Sequence, residues 1–262
     1  MRKLIVISCW LLVVLCVMSI ASCVSERLTP RLGRDSTVVS QDALRKTQDY
    51  QTLYEDLLYP SVRITTADSI GSGVIISCHR GTEDTENTIY ILTAGHVVGN
   101  EALVSVELFG STESLPAFVV ATDTDKDLAL LQIPMTNYQI PIPNFRTAKL
   151  APKNYVPYIF TPVWVIGCSL GYLPRPTSGE ITSVNEQCSL LTAHWGVNAP
   201  IWPGNSGGGV FLKDTHELIG IAVWVKICHG QLASTMGGIV TLQNIYEFLT
   251  PLTLPSPSRG ED

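Results

Sequence analysis

Between residues 60 and 250 the apolar residues fall into short Val- and Ile-rich runs, each bounded by Gly, Pro, Asn or Asp. The first half reads GVIIS, TIYILTA, ALVSVELF, AFVVAT and LALLQI. The second reads VWVIG, GEITSV, SLLTAHW, GVFL, LIGIAVWV and GGIVTL. Runs of this length and composition are strands, and the gaps between them are too short for the helical crossovers that parallel strands require. The chain is therefore all-β, with largely antiparallel pairing. Four prolines between Pro141 and Pro157, without sustained periodicity, divide the strands into two groups. The predicted organisation is a first β-barrel over 60–140, a linker over 141–158, and a second β-barrel with a closing helix over 159–250. Leu242, Ile245, Phe248 and Leu249 form the apolar face of that helix. An earlier helical pattern covers 41–58, with Leu44, Tyr50, Leu53, Tyr54, Leu57 and Leu58 mostly three or four apart, and Pro60 stops it. It packs on a barrel, or serves an oligomer. Residues 251–262 are Pro/Ser-rich and read as a disordered tail. No internal repeat is legible.

The N-terminus is set apart by its chemistry. Arg2 and Lys3 precede an uninterrupted apolar run of 17 residues, Leu4 to Ile20. Small residues follow, which is the pattern of an export signal over residues 1–22. The end of the run, IASC, resembles the lipobox of bacterial lipoproteins, in which case Cys23 is acylated and becomes the mature N-terminus. Ser19-Ile20-Ala21 also satisfies an ordinary cleavage site, and retention as an uncleaved anchor is the third reading. All three place the remaining chain outside the cytoplasm, in the cell envelope, with 23–59 as tether and N-terminal helix.

The formal charge is −6, and removal of Arg2 and Lys3 takes it to −8. No long Lys/Arg block balances that excess, so a nucleic-acid partner is excluded. Of the seven cysteines, Cys78, Cys168, Cys188 and Cys228 lie in the body of the chain. In an oxidising compartment these allow three pairings, and sequence does not choose among them or against free thiols.

Residues 202–211, WPGNSGGGVF, set Ser206 among glycines. The Gly-x-Ser-x-Gly pattern suits the nucleophile elbow of α/β-hydrolases, but that fold needs a parallel sheet and the order Ser, acid, His. Only 56 residues follow Ser206, too few for the later βα units. The alternative order is His, Asp, Ser. ILTAGHVV runs a strand into a small-residue turn that presents His96, and DTDKDLALLQI places Asp127 directly before an apolar strand. Asp123 and Asp125 are its neighbouring rivals. The remaining histidines, His79, His194, His216 and His229, read as surface or loop residues. No metal-ligand spacing joins them, and no metal or other cofactor is called for.

These segments, together with GSGVII, VIGCSLGY, TSGEITSV and ELIGIAV, resemble the trypsin-like serine proteases, and within them the bacterial HtrA/Deg branch. The likeness covers roughly residues 60–250 in consistent order. It implies two antiparallel six-stranded Greek-key β-barrels and endopeptidase activity on polypeptide substrates. His96 is then the general base, Asp127 its orienting acid and Ser206 the nucleophile. The backbone amides of the Gly204, Asn205 and Ser206 turn form the oxyanion hole. The primary pocket falls on Pro200, Ile201, Val223, Trp224 and Val225. None is acidic, and Val225 stands where digestive enzymes keep glycine, which implies a shallow pocket for small or medium aliphatic side chains.

Two departures matter. Asn205 stands where zymogens of the family keep an aspartate that pairs with a newly cut N-terminus, so activation by cleavage is not expected. HtrA-type proteins usually carry a PDZ module after the protease, and here the sequence stops soon after the closing helix. The rival functional class is a catalytically silent binding or chaperone-like lipoprotein on the same scaffold.

Overall fold

The computed structural model describes residues 49–79, 88–134, 146–187, 193–228 and 230–252. Residues 1–22, read above as an export signal, Cys23, Cys188, His229 and residues 253–262 lie outside the described residues.

The strand-patterned runs form two closed antiparallel barrels. The first is built from β1 (Ser61–Thr65), β2 (Ile70–His79), β3 (Thr88–Thr93), β4 (Leu103–Leu108), β5 (Ser114–Asp123) and β6 (Leu128–Pro134). The second is built from β7 (Pro162–Gly167), β8 (Arg175–Gln187), β9 (Ala193–Val197), β10 (Gly209–Leu212), β11 (Leu218–Cys228) and β12 (Gln231–Thr241). Hydrogen-bonded neighbours run β1-β2-β3-β6-β5-β4 in one and β7-β8-β9-β12-β11-β10 in the other. The two barrels therefore repeat one strand order, although no repeat is visible in the residues. Closure removes free sheet edges, which suits strands that are as apolar as these. Alternation sets which side chains fill the interior. Along β5 Leu115 and Ala117 point in while Ser114, Pro116 and Phe118 are exposed.

The helix α2 (Leu242–Leu249) closes the second barrel. Leu242, Ile245 and Phe248 are buried, one turn apart, and the Thr241 hydroxyl caps the start by accepting from Asn244 N at 3.3 Å. Tyr246 reaches back to donate its hydroxyl to the Ala151 carbonyl at 2.8 Å, tying this helix to the segment between the barrels. At the other end, residues 49–53 are helical and Tyr54–Leu58 form a π-helical turn ending at Pro60. Leu57 is buried there, and Asp56 accepts from His216 Nδ1 at 2.7 Å, so this segment packs on the barrels. No helix among the described residues is long and apolar enough to cross a membrane.

Candidate active site

His96 lies on α1 (Gly95–Val98), a single turn that follows β3 directly. Val97 and Val98 are buried and anchor the turn, which leaves the His96 ring exposed. Asp127 stands between β5 and β6 with a positive φ of 53°, a left-handed conformation that Asp and Asn tolerate better than most side chains. That conformation aims the carboxylate at the histidine turn. One oxygen accepts from the His96 backbone N–H at 2.8 Å and the other contacts His96 Nδ1 at 2.7 Å. A methyl group at Gly95 would stand 3.2 Å from Asp127 Oδ1, so the small residue permits this close approach. Asp127 is 9% exposed, and its two-point grip fixes both the position and the tautomer of the ring. The rival Asp123 is engaged elsewhere, accepting from Lys126 Nζ and Lys126 N, both at 2.9 Å. Burial pushes the Asp123 carboxyl up, but these Lys126 contacts outweigh it and hold the group below its ordinary range.

Ser206 lies in the connection between β9 and β10, within two successive tight turns. Asn205 N–H donates to the Trp202 carbonyl at 2.9 Å, and Gly208 N–H to the Asn205 carbonyl at 2.9 Å. The third residue of each turn is a glycine with positive φ, Gly204 at 95° and Gly207 at 83°, as in type II turns. Pro203 occupies the second position of the first turn, which its fixed φ favours. The Asn205 amide is thus spent inside the turn, which corrects its assignment to the oxyanion hole. The amides of Gly204 and Ser206 have no acceptor among the described residues. The Pro203 carbonyl is held by Leu170 N–H at 2.7 Å, and across that trans peptide the Gly204 N–H points the opposite way. Leu170 makes this contact from a left-handed conformation, φ 56° and ψ 27°, with its side chain in solvent.

The Ser206 turn presses on the first barrel. A methyl group at Gly207 would fall 2.1 Å from the Ser72 carbonyl oxygen, 2.2 Å from Thr93 Oγ1 and 3.1 Å from Ala94 N. Gly207, the residue after Ser206, therefore lies against Thr93 and Ala94, which lead into the His96 turn. Beneath the turn the Asn205 side chain is fully buried, its oxygen accepting from the Ser169 hydroxyl at 2.6 Å. No ion pair forms at Asn205. Gly209 is explained by space, since a methyl group there would meet the Phe211 ring at 2.4 Å.

The five pocket residues are brought together on the second barrel. The Pro200 carbonyl accepts from Thr177 Oγ1 at 2.9 Å, and Ile201 N–H donates to Ser234 O at 2.7 Å. Ile201 is buried against Gly237, where a methyl group would meet its Cδ1 at 2.4 Å. Gly237 pairs with Val225 across β11 and β12, so Ile201 fills space next to the Val223–Val225 strand. Trp224 packs flat on Gly238, and His194 meets it edge-on with centroids 6.4 Å apart. His194 is therefore not a surface residue. It is fully buried on β9, because both faces of that strand are covered. Cys168 is a buried thiol whose Sγ lies 3.6 Å from the Val62 carbonyl, and burial pushes it up to about 11. Its thiol state removes all three pairings of the four cysteines, each of which needs Cys168. Ser72, Ser169, Leu170 and Gly237 are site residues that the sequence reading did not single out. Their prior signals were only their places in the runs GSGVII (Ser72), VIGCSLGY (Ser169 and Leu170) and GGIVTL (Gly237).

Residues 71–221 match the family model described as a trypsin-like peptidase domain. Among curated proteins, "Serine protease HtrA-like" of Staphylococcus epidermidis is 27% identical over 208 residues, covering 72% of this chain and 33% of that protein. The protein of the same name from Staphylococcus aureus USA300 is 25% identical over 166 residues, covering 59% of this chain and 20% of the relative. The chain thus spans a third or less of the length of these relatives. Among solved structures, the HtrA-type protease AlgW with tripeptide superposes with a TM-score of 0.64 at 22% identity, covering 78% of this chain and 63% of that one.

Proposed function

The chain belongs to the trypsin-like peptidase family, and from that premise we propose that it is a serine endopeptidase acting on extracytoplasmic polypeptides. The observation that supports this most is the double contact of Asp127 with His96, at 2.8 and 2.7 Å, beside the turn that holds Ser206. Ser206 is a poor nucleophile at neutral pH until His96 takes its proton during attack on the scissile carbonyl. Asp127 keeps the proton of the neutral ring on Nδ1, so that Nε2 is the base, and stabilises the imidazolium that forms. The Gly204 and Ser206 amides receive the oxyanion of the tetrahedral intermediate, each donor being worth about 3 kcal/mol in the transition state. His96 then returns the proton to the leaving amine, and water repeats the sequence on the acyl-enzyme.

The Ser169–Asn205 contact, 2.6 Å, occupies the place of a zymogen-type ion pair, which supports activity without N-terminal trimming. The Ile201 side chain seated on Gly237 supports a shallow primary pocket and cleavage after small or medium aliphatic residues. The export pattern at residues 1–22 and Cys23 support placement in the bacterial envelope, anchored by lipid or by the signal itself.

A fluorophosphonate probe tests the central reading. Labelling of the folded chain that disappears in Ser206→Ala supports it, and no labelling of folded wild-type chain would replace it with the silent binding protein. A dominant Arg, Lys or Glu preference in a peptide library would overturn the aliphatic pocket.

A further inference from the structure

The oxyanion turn belongs to the second barrel, yet its conformation is held by a side chain from the first. Ser72 is in β2 and is 1% exposed. Its hydroxyl donates to the Gly204 carbonyl at 2.6 Å and accepts from Cys168 N–H at 2.7 Å. Because the amide fills one lone-pair direction, the single hydroxyl proton is committed to Gly204. The Ser72 backbone N–H donates to the Ser206 carbonyl at 2.7 Å, and its own carbonyl accepts from Thr93 Oγ1 at 2.6 Å. Every polar atom of this residue is thereby used, across three segments that are remote in sequence.

The consequence follows plane by plane. The Pro203–Gly204 peptide is fixed through its carbonyl by Leu170 N–H, the Gly204–Asn205 peptide by the Ser72 hydroxyl, and the Ser206–Gly207 peptide by the Ser72 amide. Type I and type II turns differ by rotation of the central peptide plane, here Pro203–Gly204. In the rotated form the Gly204 N–H faces away from the oxyanion and the Pro203 carbonyl faces toward it. The Leu170 contact opposes that rotation directly. The Ser72 hydroxyl opposes it from the next plane, because the turn cannot rearrange without moving Gly204 O. We infer that Ser72, through its hydroxyl, is a positioning residue that keeps the oxyanion turn in its donor-inward conformation and so couples the first barrel to the chemistry of the second. The inference rests on the peptidase reading above.

Ser72→Ala tests it. The substitution removes one oxygen atom and leaves β2 and its backbone bonds in place. The expected result is a fall in kcat of about tenfold to a hundredfold with KM changed by less than about twofold, because the lost interaction acts on the transition state. The affinity for a peptide boronic acid, which needs the oxyanion donors, falls by the same factor as kcat. A structural defect alone would lower the active fraction and leave kcat per titrated site and boronate affinity unchanged. Unchanged kcat per titrated site with unchanged boronate affinity overturns the inference. Should Ser72→Ala fail to fold, Ser72→Cys carries the test, since a thiol keeps a weaker donor in similar volume. An intermediate kcat with wild-type KM supports the coupling, and wild-type kcat overturns it. Wild-type turnover in the same assay separates this outcome from failure of the peptidase reading itself.

Discussion

Gly207→Ala should damage both stability and catalysis, by two effects that the structure separates. Gly207 has φ 83°, so an alanine there incurs the left-handed penalty of about 1–2 kcal/mol. The added methyl would also fall 2.1 Å from the Ser72 carbonyl oxygen and 2.2 Å from Thr93 Oγ1. Those two atoms are already bonded to each other at 2.6 Å, so neither can turn aside and keep its partner. Relief to ordinary contact needs a displacement of about 1 Å, enough to break one buried hydrogen bond at about 1–3 kcal/mol. The summed loss is about 2–5 kcal/mol. A shift of that size in the nucleophile turn also lowers kcat/KM by about a hundredfold. Gly110→Ala is the control. Its φ is 80°, but a methyl group there meets nothing within 4 Å, so only the φ penalty applies. Urea unfolding of both variants, with kcat/KM on one peptide substrate, decides the matter. Equal destabilisation of the two, or near-wild-type kcat/KM in Gly207→Ala, would refute the contact argument.

Asp127→Asn should fold, because Asn also tolerates φ 53° and can keep the acceptor for His96 N–H. It presents N–H rather than oxygen to Nδ1, selects the wrong tautomer, and should lower kcat by about 10⁴-fold with little change in melting temperature. Single-turnover acylation measures it, and a loss below tenfold would remove Asp127 from its assigned role. Cys168, pushed up to about 11, holds its proton through neutral pH. Folded protein at pH 8 should resist iodoacetamide at this site and react once denatured, as read by peptide mass mapping. Because the thiol titrates higher when folded than when unfolded, its contribution is intact below about pH 9 and is lost as pH rises from 9 toward 11. A Cys168→Ala variant should show a flatter decline over that interval.

The histidine turn, the aspartate and the serine turn could each be read locally, because their signals are short. A strand leading into Ala94-Gly95, an apolar run starting at Leu128, and glycines at 204 and 207 all lie within a few residues of the group they serve. Ser72 could not be read that way. Its hydroxyl partners are 132 and 96 residues distant, and a serine between two glycines looks the same whether it is buried or solvated. Asn205 illustrates the same limit in reverse. Its neighbours marked it as part of the oxyanion turn, but whether an amide faces the hole or closes a turn depends on φ at Gly204, which residue type allows without dictating. His194 failed for a third reason. Exposure of a strand residue depends on what covers each face, and β9 is covered on both.

The duplicated strand order gives these observations a common frame. His96 follows the third strand of its barrel, and Ser206 lies between the third and fourth strands of the other. Corresponding connections of two similar barrels thus supply the proposed base and nucleophile, while Asp127 comes from the fifth connection of the first barrel alone. Barrel closure constrains only which positions alternate inward, so the two halves can keep one topology with no residue-level likeness. The proposed chemistry depends instead on contacts that cross between them. Ser72 N–H to Ser206 O and Ser72 Oγ to Gly204 O are such contacts, and with the packing of Gly207 on Thr93 and Ala94 they set the nucleophile turn against the histidine turn. Each barrel closes by its own pattern of apolar alternation, but the geometry of the site is a property of the interface.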